Sequence, residues 1–235
     1  MKLYANDDKT KLAVLKLLNK DLAGIDELEE ISAGEESNRN ASFALALTYY
    51  QKQDYSLAMK TINAWLAKNS DDVEALLFKA KIFEAQDLVQ NSFNTLQVAL
   101  QKSSDNDNDD VLFMLAQNRL KASDLIASQN HLEHLIDINP QYKSAYTLLL
   151  RIKRSLNKED EFFQLMTAII QDDNNEYSWP RIILAQKALL ENKFDYAEAF
   201  LADLSNENLS DAYFSTMMDI YFGKKNMTKI NKYAQ

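Results

Sequence analysis

Two histidines, His131 and His134, are the only ones in the chain. Three apart on one helix, they can face the same way, with Glu133 and Asp137 beside them. Two imidazoles fall short of the three or four protein ligands that a metal site uses. The pair reads as two surface histidines on an outer helix. Asp105-Asn106-Asp107-Asn108-Asp109 opens like a calcium loop. Asp110 stands where that loop needs its turning glycine, however, and Ala116 where it needs a bidentate glutamate. The run reads as a solvated acidic corner with helix caps. Glycine occurs only at 24, 34 and 223, too sparsely for a phosphate-cradling loop or a dinucleotide fingerprint. No Ser/His/Asp or Cys/His arrangement has a spacing that activates a nucleophile. The expectation is a binding protein rather than an enzyme, with no catalytic residue, no cofactor and no metal.

Composition narrows the partners. The 235 residues carry a formal net charge of -9, with a pI near 4.8. A field of that sign repels phosphate backbones and anionic membrane surfaces, so no nucleic acid is expected. No run of 18 apolar residues is present, so no insertion of this segment into a membrane is expected. The opening Met1-Lys2-Leu3-Tyr4 runs into Asn6-Asp7-Asp8-Lys9 without the apolar stretch of a secretory signal. A cytoplasmic location is the default, and a periplasmic or membrane-anchored one follows if a signal lies outside this segment. There is no cysteine, which excludes disulfides and thiolate metal sites. With only 3 Gly and 2 Pro in a chain that is 46% hydrophobic, helices joined by short polar corners are the economical reading.

The elements that would position a binding surface announce themselves by repetition. Ala46 and Ala58 lie 12 residues apart, one in each of two amphipathic runs that meet at Asp54. Ala80 and Ser92, Ala116 and Ser128, and Ala185 and Ala197 keep the same spacing. Small side chains at those places let two helices approach closely. The period is 34 residues from Ala46 to Ala80 and 36 from Ala80 to Ala116, with the extra length in the polar corner Ser103–Asp109. Five helix pairs follow, at about 39–72, 73–108, 109–142, 143–177 and 178–210. In the fourth, Leu150 and Phe162 fill both small-residue places, which predicts a wider pair or a change of twist near 143–175. Residues 8–18 and 21–32 read as an atypical first pair with Gly24 at the small place. Residues 211–222 and 226–235 read as a partial last one, whose uncovered end suggests a longer protein or self-association. Asp71-Asp72, Asp109-Asp110 and Ser210-Asp211 are expected helix caps, and Pro180 suits a first helical turn.

These residues resemble a tetratricopeptide-repeat (TPR) protein. Leu45-Ala46, Tyr49, Tyr55, Ala58, Ile62 and Leu66 fill the hallmark places of one unit. Leu112, Leu115-Ala116, Ser128, Leu132 and Pro140 do so in another, and Leu184-Ala185, Phe194, Ala197, Leu201 and Leu204 in a third. A period near 34 with two helices per unit is that family's signature. The resemblance implies an all-α, right-handed α-solenoid of antiparallel helix pairs, forming one array over residues 1–235. It implies a protein-interaction scaffold, with the first helix of each unit lining a concave groove. Carried onto this chain, the groove holds Phe43, Leu47, Tyr50, Leu77, Lys81, Phe113, Gln117, Lys121, Arg151 and Arg154. Aromatic and arginine side chains are the usual anchors of binding hot spots, so the expected partner is a protein or peptide with apolar anchors and an acidic group. The carboxylate clamp of chaperone-binding members is absent, its places being held by Phe43, Leu47, Phe78, Asp110 and Met114. The loosely matched repeats suggest a bacterial origin. Other roles that the resemblance allows are an assembly module of a bacterial envelope, exopolysaccharide or protein-sorting system (a periplasmic TPR lipoprotein), or a recruiting module of a larger enzyme.

Overall fold

The computed structural model describes residues 2–34, 38–104, 108–171, 178–202, 204 and 210–225, with side chains from residue 8 onward. The expected second helix at 226–235 and the core of the acidic corner, 105–107, lie outside the described residues. The helices are α1 (Lys2–Leu18), α2 (Ala23–Ala33), α3 (Arg39–Gln51), α4 (Tyr55–Leu66), α5 (Val73–Ala85), α6 (Val89–Lys102) and α7 (Asp109–Lys121). They continue with α8 (Leu125–Ile138), α9 (Lys143–Ser155), α10 (Glu159–Gln171), α11 (Ser178–Leu190), α12 (Phe194–Ala202) and α13 (Asp211–Gly223). The described residues hold no strand. None of these helices is long and apolar enough to cross a membrane.

Five helix starts, those of α3, α4, α5, α7 and α8, are fixed by a short polar side chain. Asn38, Asp54, Asp72, Asn108 and Asp124 accept from the backbone N–H three residues on, at 2.7 to 3.1 Å. Of the caps expected from sequence, Asp72 serves. Asn108 replaces Asp109, which moves with Asp110 into the first turn of α7, where their charge still suits the positive end of the helix dipole. Ser210 precedes α13 but makes no side-chain cap bond.

The corner inside each helix pair is built the same way. Lys20, Gln53, Asp87, Ser123, Asn157, Asn192 and Lys225 all have left-handed backbone, with φ between 54° and 64°. Successive members lie 33 to 36 residues apart, so the repeat is written in the backbone as well as in the side chains. Before this corner the helix closes with a bond reaching back five residues: Asp54 N to Tyr49 O at 2.9 Å, Asp124 N to Arg119 O at 2.8 Å, Lys193 N to Ala188 O at 2.8 Å.

Close approach of the paired helices rests on the small residues. Ala46, Ala58, Ala80, Ser92, Ala116, Ser128, Ala185 and Ala197 are all fully buried. Ser128 Oγ donates to the Ala116 carbonyl at 2.6 Å, a bond between the two small places of one pair. Gly24 is buried against α1, where a Cβ would lie 2.9 Å from Leu17 Cγ and closer still to the Ala13 carbonyl.

The chain divides into two compact units, Met1–Ile152 and Lys153–Gln235. The division falls inside α9, in the pair whose small-residue places hold Leu150 and Phe162. The first unit is cored by Ala13, Leu28, Leu45, Ile62 and Ile82, and then by Leu76, Leu96, Val111 and Leu115. The second is cored by Ile182, Leu201, Tyr213, Met217 and Ile220. In that unit Phe162 is buried, with its ring 5.5 Å from that of Phe163.

Candidate functional site

In the first unit, α3, α5 and α7 bring their stripes of side chains together. On α3, Phe43, Leu47 and Tyr50 share one face by their spacing. Phe78 on α5 meets both aromatic members, with ring centroids 6.3 Å from Phe43 and 5.6 Å from Tyr50. Tyr55 closes the cluster edge-on to Tyr50 at 5.6 Å. The rings are half-buried, and Leu47 beside them is 45% exposed. Lys81 lies one turn beyond Phe78. On α7, Phe113, Gln117 and Lys121 continue the surface, and the Phe113 ring meets that of Tyr142 at 5.2 Å, tilted by 49°.

A buried-edge ion pair holds this surface in register. Arg39 donates to both carboxylate oxygens of Asp72, at 2.7 and 2.9 Å, and also bonds Glu74. Its guanidinium lies 4.4 Å above the Phe43 ring. Trp65 Nε1 donates to Asp72 at 2.8 Å. The Arg39 bond, outweighing burial, holds the Asp72 carboxyl at a pKa of about 2.

The ten expected groove residues do not all reach this face. Phe43, Leu47, Tyr50, Lys81, Phe113, Gln117 and Lys121 are at least partly exposed along α3, α5 and α7. Leu77 is only 7% exposed and packs in the core with Leu76 and Leu115. Its neighbour Phe78 takes the surface place. Lys121 pairs with Asp87 at 2.6 Å and donates to the Glu84 carbonyl at 3.3 Å. That contact holds the Asp87 carboxyl below the usual carboxylate range. Arg151 is exposed and engaged in an interaction of its own. Arg154, in the second unit, is held by Glu159 at 2.7 Å. Lys81 has no acidic partner among the described residues. Sequence reasoning missed Arg39, Phe78 and Tyr142. The i, i+4 spacing of Arg39 and Phe43 was the available signal for the first.

No protein-family model matches the chain, and no curated protein matches it by sequence. Solved structures do. A tetratricopeptide repeat protein from Parabacteroides merdae ATCC 43184 superposes with a TM-score of 0.56 at 10% identity, over 98% of this chain and 91% of that one. PilF of Pseudomonas aeruginosa gives 0.57 at 13% identity, over 98% and 97%. YrrB, described as a TPR protein with an unusual peptide-binding site, gives 0.50 at 11%, over 87% and 96%. The chain has the tetratricopeptide-repeat fold. It is an all-α solenoid of paired helices.

In this tetratricopeptide arrangement the second helices flank a second kind of groove, floored by a first helix. One such groove, of about 400 Å³, lies between α2 and α4 over α3, where Tyr49 fills the floor and its hydroxyl bonds Glu29. Burial, and then that carboxylate, push the Tyr49 pKa up to about 12. In the second unit a groove of about 740 Å³ lies between α10 and α12 over α11. The histidines belong to α8 of the first unit. Burial, helped by Arg119, lowers the pKa of His131, while His134 is exposed. Arg119 lies 3.6 Å over the Phe93 ring. Among the described residues no group of three or more His, Cys, Asp or Glu could hold a metal ion.

Proposed function

We propose that the chain is a non-catalytic scaffold that holds a peptide or a segment of a partner protein on the α3–α5–α7 face of its first unit. The observation that carries this reading is the half-buried ring cluster of Phe43, Phe78 and Tyr50, with the exposed Leu47 at its edge. Rings fixed by one another and by Arg39 lose little freedom when a ligand covers them, which is what a hot spot needs. Among the described residues of this face, Lys81 is a cation with no carboxylate partner. An acidic group of the ligand is therefore directed to Lys81, rather than to Lys121 or Arg154, which are engaged. The peptide-binding site described for YrrB, a protein of the same fold, supports the class of role.

Selection from a random peptide library tests the reading. Enriched peptides should carry apolar anchors and an acidic residue. Tyr50→Ala with Phe78→Ala should weaken them at least about tenfold. Lys81→Glu should reverse the preference for acidic sequences. A library that enriches nothing, or peptides whose affinity ignores both variants, would remove the face from consideration.

A further inference from the structure

The seven left-handed corners put the repeats in a common register that the backbone itself defines. Four residues before each corner residue stands an equivalent position, which in the two grooves described, as Tyr49 and Ala188, lies in the floor. In chain order those positions hold Lys16, Tyr49, Phe83, Arg119, Lys153, Ala188 and Tyr221. Six are large. They occupy their surroundings visibly: Tyr49 reaches Glu29, Arg119 covers the Phe93 ring, and Lys153 bonds Glu161 at 2.8 Å. Ala188 is the exception, and the larger of the two grooves opens over it.

That groove has a small side chain in its floor. Its floor is Leu184 and Ala188 of α11, and its walls are Phe163 of α10 with Tyr196 and Phe200 of α12. Tyr196 is 68% exposed at the rim, a large aromatic left in water. The charges at the mouth cancel: Lys187 lies 3.7 Å from Asp160 and 3.6 Å from Glu191, and Lys193 lies 2.6 Å from Glu191. The patch is thus close to neutral on a chain of net charge -9. Lys187 also lies 4.3 Å from the Phe163 ring centroid, so one ring of the wall is already shared with a cation.

We propose that the groove over α11 is a docking site for one aromatic side chain of an uncharged partner segment, which takes the place that Ala188 leaves empty. Three aromatic walls favour a ring over an aliphatic group, because ring pairs gain beyond the area they bury. Gln164, Thr167 and Gln171 along α10 offer hydrogen-bond partners to a phenol or an indole, so tyrosine or tryptophan is the fitting occupant. A neutral mouth neither attracts nor repels, which suits a segment without net charge. This site lies in the second unit on different helices from the α3–α5–α7 face, and either can fail without the other.

The test is a titration of the full chain with N-acetyl-tryptophanamide and N-acetyl-tyrosinamide, followed by amide NMR spectra. The corresponding leucine and lysine amides serve as comparators. Shifts should gather at Phe163, Thr167, Ala188 and Phe200, with dissociation constants on the order of 1 mM for ligands of this size. Ala188→Phe supplies the ring from within the chain and should weaken binding at least about tenfold while circular dichroism stays unchanged. Tyr196→Ser, a change at an exposed position, should weaken it as well, and it decides the matter if Ala188→Phe does not fold. Scattered shifts, equal binding of the leucine amide, or full binding by the folded variants would overturn the proposal.

Discussion

Arg39 and Asp72, 33 residues apart, are joined by two parallel hydrogen bonds while the same carboxylate caps α5 through Ala75 N and receives Trp65 Nε1. One side chain thus fixes the start of a helix, the start of the preceding first helix and the end of α4. A carboxylate held this way has its pKa depressed from 3.8 to about 2 in the folded chain. The unfolded chain then takes up the proton first, so stability from this group is complete above about pH 5 and is lost as pH falls through 3.8 toward 2. Asp72→Ala should cost about 2–3 kcal/mol in urea denaturation at neutral pH, combining a lost cap with an unpaired guanidinium. Asp72→Asn keeps the cap oxygen and should cost about half as much. It should also flatten the acid limb of the stability curve. A wild-type acid limb that Asp72→Asn leaves unchanged would show that other carboxylates carry it.

The left-handed corners store strain that glycine would relieve. Gln53 and Ser123 adopt φ of 61° and 62°, where a Cβ costs about 1 kcal/mol. Gln53→Gly and Ser123→Gly should each raise stability by up to about 0.5 kcal/mol, the strain relieved less the extra freedom glycine has when unfolded. Asn157 and Asn192 should gain less, since asparagine tolerates this region. Thermal melts of the four single variants would check the ordering, and equal shifts at all four corners would contradict it.

Gly24 and Gly34 make a paired test of close helix approach. A Cβ at Gly24 would collide with the Ala13 carbonyl and with Leu17. The backbone oxygen cannot swing aside, so Gly24→Ala should destabilise the first unit by about 1–3 kcal/mol. At Gly34 the nearest atom would be 3.5 Å away and φ is −63°, so Gly34→Ala should be neutral or slightly stabilising. Urea denaturation of both variants separates packing from mere backbone entropy. Equal losses would refute the contact.

Fold was more legible than surface, for reasons visible in single residues. Alanine at 46, 80, 116 and 185 marks close helix approach because nothing larger fits, so steric demand is printed in the sequence. Four of the seven corners carry no such mark. Gln53, Ser123 and Lys20 are not residues that advertise positive φ, and only the backbone reveals them. The cap of α7 was ambiguous because Asn108, Asp109 and Asp110 are chemically alike. Leu77 and Phe78 show the limit for the site. The run Val73-Glu74-Ala75-Leu76-Leu77-Phe78 is apolar on nearly every side, so its pattern does not say which residue faces out. A turn of about 100° exchanges the two. The pairing of the cations is hidden for a different reason. Whether a surface lysine is available depends on a carboxylate brought near by folding, as Asp87 is to Lys121 from 34 residues away.

That last pair can be used to enlarge the cationic part of the α3–α5–α7 face. Lys121 and Asp87 are well exposed, and such pairs contribute little to stability because water screens them and both side chains lose freedom. Asp87→Asn should therefore change the melting temperature by no more than a degree or two, which corresponds to at most about 0.5 kcal/mol in a chain of this size. It keeps the left-handed corner, since asparagine accepts positive φ as readily as aspartate does. The freed Lys121 then joins Lys81 as a second cation without a carboxylate partner among the described residues, along the stripe that begins at Phe113. Acidic peptides selected on the wild-type chain should bind Asp87→Asn more tightly, by about threefold to tenfold at low salt, and the gain should shrink as salt rises. Calorimetry at two ionic strengths measures both effects. A gain that persists undiminished in high salt would mean that Asp87 had been blocking the ligand by its shape, and no gain at all would place the acidic end of the ligand away from Lys121.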